Sequence, residues 1–185
     1  GQVVSSRLFT LRGKISDVGD GQVIHNHNLL DYVSPDRTKA WKVEAAWMWP
    51  VDYRATQTPT AVDGFLCFTG CLATDFLDHP QFNSLVDPSD NRLCAWAMQT
   101  YNLRDATQDF LTPNGVPLAS MRFLIDPDHL VSKELYLNFA TTSDGDSAPE
   151  RAWGYMVLLR EMKVTPTESI FAQIKGMGQD VSPIP

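Results

Sequence analysis

From Trp41 to Tyr53 the chain alternates. Trp41, Val43, Ala45, Trp47, Trp49, Val51 and Tyr53 are apolar, and Lys42, Glu44 and Asp52 stand among the positions between them. A period of two puts successive side chains on opposite faces of a β-strand. The odd positions hold three tryptophans and a tyrosine. That is too much apolar area to leave in water, so the pattern predicts that this face meets a second layer. Pro50 has no amide to give to a ladder and marks an edge, a bulge or the strand's end.

Similar segments recur. Ser6 to Val18 alternates Phe9, Leu11, Gly13 and Ile15 against Arg12 and Lys14, and Arg151 to Lys163 sets Trp153, Tyr155, Val157 and Leu159 opposite Arg160. Gly64 to Thr74 and Arg92 to Leu103 are apolar on both faces, as expected of central strands covered on both sides. Ala119 to Ile125 and Leu130 to Thr141 flank a turn at Asp126-Pro127-Asp128-His129. Clusters of Pro, Gly, Asn and Asp separate the strands, the spacing of a sandwich or barrel.

The period changes near the end. Thr165-Pro166-Thr167-Glu168 is a capping box with proline at the first helical position. Ile170, Phe171, Ile174 and Met177 follow at the spacing of one helix face, which is expected to pack on the sandwich, and Gly176 or Gly178 supplies the stop. The reading is therefore a mainly β, antiparallel, jelly-roll-like sandwich of seven to eight strands with one short C-terminal helix. It forms a single domain over 1–185, with strands within 6–163, the helix at 165–178 and an extended tail at 179–185.

Composition agrees with an ordered chain: 43% of the 185 residues are hydrophobic and 20% charged. The net charge of -7, with no run of Lys and Arg, argues against binding a phosphate backbone. The apolar stretches, such as Phe65 to Phe68, are far shorter than the roughly 20 residues of a spanning helix, so no membrane role is expected. No basic stretch followed by an apolar core opens the sequence, so no signal peptide is expected either. Cys67, Cys71 and Cys94 are odd in number. The first two, on one face of a strand, would lie about 13 Å apart, too far for a disulfide, and all three read as buried thiols.

Chemistry is sparse. His25 and His27, at i and i+2 on a strand, would point one way, with Asp31 near enough to complete a metal set, but a polar loop or strand edge is the better account of the same residues and no metal is assigned. Asp144-Gly145-Asp146 and Glu150 lack the order of a calcium loop and read as an acidic hairpin tip. Asp126-Pro127-Asp128-His129 has the makings of an acid–base pair but reads as a turn. No nucleophile elbow and no phosphate-cradling glycine motif occurs, so no catalytic residue and no cofactor is assigned. Trp49 and Tyr53, at the strand's end, are the candidates for a surface that binds sugars or bases.

The strand pattern over residues 6 to 163 resembles the single jelly-roll coat proteins of small icosahedral viruses. Such coats often begin with a basic arm that neutralises packaged nucleic acid, whereas Gly1 to Gly13 holds only Arg7 and Arg12. The resemblance implies a shell, surface or spike subunit located in a virion, whose genome contacts are made by another protein. The expected function is a non-catalytic, self-assembling structural protein, homo-oligomeric through loops and termini. A carbohydrate- or ligand-binding module and a small metal-dependent enzyme are the alternatives, either of them expected in the cytoplasm.

Overall fold

The computed structural model describes residues 7–19, 21–31, 38–51, 63–104, 120–143 and 150–176. Among these residues ten strands and one α-helix follow in order, with a short 3-10 turn at Ser84–Val86 between the fourth and fifth strands: β1 Leu8–Val18, β2 Val23–Asp31, β3 Lys39–Pro50, β4 Asp63–Ala73, β5 Leu93–Arg104, β6 Met121–Arg122, β7 Leu124–Ile125, β8 Leu130–Val131, β9 Glu134–Ser143, β10 Arg151–Lys163 and α1 Pro166–Gly176. They form two antiparallel sheets. One runs β1-β10-β3-β6, with β8 also on β3, and the other runs β2-β9-β4-β5-β7. With β6 to β8 counted as one broken segment that contributes to both sheets, the orders read 1-8-3-6 and 2-7-4-5-6. Consecutive segments cross from one sheet to the other except β4 and β5, which pair as neighbours within one sheet, the winding of a jelly roll.

β2 is the strand that periodicity misses. His25, Asn26, His27 and Asn28 give it little apolar signal, and its register against β9 slips twice, between Ile24 and His27 and between Asn28 and Leu30. Asn26 stands at the first slip with a φ of 55°, a left-handed conformation that asparagine tolerates. The segment expected as one strand from Ala119 to Ile125 is also broken. β6 pairs with β3 and β7 with β5, so the chain changes sheet at Phe123.

The main core lies between the sheets. Val43, Met48, Phe68, Leu72, Phe139 and Trp153 are among its buried side chains. Phe68 and Trp153 meet at 4.9 Å between ring centres, which ties the two layers together. A second, smaller core explains why β4 is apolar on both faces: Cys71 and Ala73 point away from the sandwich and are covered by Leu77, Leu85 and Leu93. The three cysteines are free.

The expected inward face of β3 is corrected by the structure. Opposite β10, Leu158 pairs with Ala45 but Leu159 pairs with Val43, so Glu44 is an extra residue, a β-bulge. Past the bulge the alternation changes phase. Trp41 and Val43 face the core, but so do Ala46 and Met48, and Trp47 and Trp49 are turned to the outside of the sheet. One inserted residue exchanges the two faces, because the side-chain period is two.

Candidate interaction surface

The helix begins where the capping box places it. The Glu168 amide donates to Thr165 Oγ1 at 3.1 Å, and the Thr165 amide donates to Glu168 Oε2 at 2.7 Å, so two amides that have no partner within the helix are satisfied. α1 packs against β8. It does so with a small, polar face: Ser169 is buried and Ala172 half-buried. In its last turn Lys175 reaches Asp128 Oδ2 at 3.3 Å and Asp126 Oδ2 at 3.7 Å.

This corrects the expectation that the apolar stripe packs on the sandwich. Ile170, Phe171 and Ile174 are 45%, 65% and 51% exposed. Met177, the next residue of the stripe, lies outside the described residues. The periodicity identifies an apolar face correctly, but the docking contacts belong to the opposite side of the helix. A second exposed apolar pair, Met98 and Leu124, sits on the other sheet, beside Trp96, which pairs with Leu124.

The turn expected at Asp126 to His129 is present: the Asp128 amide donates to Asp126 Oδ1 at 3.0 Å. Its histidine is the residue that sequence reasoning undervalues. His129 is buried, with Nε2 3.1 Å from Thr74 Oγ1 and Nδ1 3.8 Å from Asp126 Oδ2. Burial holds its pKa below the usual histidine range, against the opposing pull of Asp126. Asp128 and Lys175 join it to α1, so the cluster is a clamp between the turn and the helix. The only sequence signal for it was the turn itself.

His25 and His27 do not point the same way. The bulge at Asn26 separates them: His25 is exposed, 3.3 Å from Asn26 Nδ2, while His27 turns inward to meet Tyr155 edge-on at 5.8 Å. Partial burial lowers the His27 pKa. Asp31 pairs through its backbone with Glu134. Among the described residues no group of three His, Cys, Asp or Glu side chains is placed to hold a metal ion. Tyr53, Asp144 to Asp146, residues 1–6 and the tail at 179–185 lie outside the described residues. Trp49 is on the surface of its sheet, lying across Gly154, where an added Cβ would come within 2.8 Å of the indole. At one end of the sandwich Phe9 and Trp41, 6.0 Å apart, line a cleft of about 320 Å³ whose charges are Arg7, Lys39 and Glu161.

No family model and no curated protein matches this chain. Among solved structures it is similar to a chain from the cryo-EM structure of a semi-empty virus-like particle of the giant freshwater prawn Macrobrachium rosenbergii nodavirus. The identity is 11% and the TM-score 0.36, over 89% of this chain and 98% of that one. At those values the likeness carries no correspondence between residues, and the fold rests on the strand registers given above. No helix among the described residues is long and apolar enough to cross a membrane.

Proposed function

We propose that this chain is a non-catalytic structural subunit that assembles with copies of itself, as the shell subunits of small viruses do. The observation that carries the reading is the outward stripe of α1. A helix capped at its start and clamped at its end is held rigidly while presenting Ile170, Phe171 and Ile174 to solvent. Contiguous apolar patches left exposed on a surface mark association sites. A second patch at Met98 and Leu124 lies on a different element. Two unlike patches on one chain support assemblies larger than a two-fold dimer, because a contact between different surfaces repeats from copy to copy.

Sedimentation velocity at increasing concentration tests the reading. The expected result is a concentration-dependent species larger than the monomer, lost in Phe171→Glu while the β-rich circular dichroism is kept. A chain that stays monomeric at high concentration in several buffers overturns it.

A further inference from the structure

The bulge at Glu44 has placed Trp47 and Trp49 on the outside of the β1-β10-β3-β6 sheet, and the registers show what surrounds them. Arg12 pairs with Met156, Met156 with Trp47, and Trp47 with Arg122. These four form one row across the sheet. The Arg122 guanidinium lies over the Trp47 ring, 5.9 Å from its centre. In the neighbouring row Lys14 pairs with Gly154, and Gly154 with Trp49. Trp49, half-buried, lies against Gly154, its indole within 2.8 Å of where a Cβ would stand. Arg12, Lys14 and Arg122 are exposed.

The sign of this face is opposite to that of the whole chain. Among the described residues of these strands the carboxylates on or beside this face are Glu44, which accepts a hydrogen bond from Arg160 Nε at 2.6 Å, and Asp17, exposed at the bulge of β1 past Lys14. Arg12, Lys14 and Arg122 remain, with Lys42 further along β3, on a chain whose net charge is -7. Screening falls off over about 8 Å at physiological ionic strength, so a ligand on this face responds to the local cations more than to the distant acids.

We propose that this sheet face binds single-stranded nucleic acid, with bases stacking on Trp47 and Trp49 and phosphates meeting Arg12, Lys14 and Arg122. Cations interleaved with aromatic rings are the combination that non-specific single-strand binding uses. With strands about 4.8 Å apart, Arg12 and Arg122 stand about 14 Å from each other, on either side of the Trp47 ring. A backbone can therefore contact both while its bases turn onto the indoles. A duplex keeps its base faces stacked on one another and offers none to the tryptophans. The site is built from paired strands rather than from a run of basic residues, which is why charge along the sequence argued against it. It needs a single chain and stands whether or not copies associate.

Fluorescence anisotropy with labelled 20-mers of thymidine and uridine nucleotides, read alongside tryptophan emission, tests the proposal on the full chain. Binding with quenched tryptophan emission is expected. Three phosphate contacts give a slope of log affinity against log salt of about -2, falling to about -0.7 in the Arg12→Gln, Lys14→Gln double variant. An abasic 20-mer, which keeps the phosphates and lacks the bases, is expected to bind at least tenfold more weakly. This comparison needs no variant and is immune to misfolding. The proposal is overturned by no binding at 50 mM salt, by an unchanged slope in a double variant with wild-type circular dichroism, or by equal affinity for the abasic strand. Equal affinity for heparin or polyglutamate overturns it as well, the face then being a site for acidic glycans or proteins.

Discussion

Asn26 and Leu77 exchange two hydrogen bonds: Asn26 Oδ1 accepts from the Leu77 amide at 2.9 Å, and Asn26 Nδ2 donates to the Leu77 carbonyl at 3.0 Å. The Asn26 amide itself donates to Asn138 Oδ1 at 2.7 Å. The bulge residue of edge strand β2 thus fastens the segment that covers the second core. Asn26→Ala removes both bonds to Leu77 and puts a less tolerant residue at a φ of 55°. A loss of about 2 kcal/mol is expected from urea unfolding, with faster hydrogen exchange at the Leu77 amide. Asn26→Gly, which accepts that φ without strain, loses the bonds alone and falls between the two.

Cap removal acts locally. Thr165→Ala deletes the acceptor of the Glu168 amide and is expected to cost about 1 kcal/mol, read as earlier exchange of the first-turn amides of α1. Unaltered exchange at Glu168 would contradict the cap.

Stability should fall with pH below neutrality. The folded-state pKa of His129 is depressed by burial, as is that of His27, so below the ordinary value of 6.5 the unfolded chain takes up protons that the folded chain refuses. The contribution is whole above that value and is lost as the pH drops through it, with a limit of about 1.4 kcal/mol per pH unit for each proton. Unfolding free energies at pH 7.5 and 5.5 check this, and His129→Gln is expected to flatten the difference while lowering stability at both.

Gly154→Ala places a Cβ within 2.8 Å of the Trp49 indole. Overpacking of that kind costs about 1 to 3 kcal/mol. Trp49→Ala combined with Gly154→Ala should be less destabilised than the sum of the single changes, and a double-mutant cycle measures the coupling. Strict additivity would show that the two residues do not meet.

Thiol reactivity should single out Cys67. Burial pushes the Cys94 thiol up to about 12 and raises that of Cys71 as well, whereas Cys67 is only half-buried. A thiolate-specific reagent is expected to modify at most one thiol in the native chain and three after unfolding in urea.

The sequence by itself determined the class of the fold and the start of the helix. A period of two in Ser6 to Val18 and Arg151 to Lys163, and a capping box read residue by residue at Thr165, are local signals, and local signals survive into the structure. The burial of both faces of β4 was legible for the same reason, and the structure shows it from Phe68 to Ala73. What only the tertiary structure decided is which apolar face meets the core. On β3, residues 45 to 49 are apolar without a break, so alternation has no preferred phase there, and the extra residue Glu44, visible only against β10, sends Met48 inward and Trp49 outward. On α1 the stripe was legible, but Ser169 and the Lys175 clamp to Asp128 hold the helix, and those partners come from a distant turn. A face is a property of one segment, whereas its burial depends on what the rest of the chain brings against it.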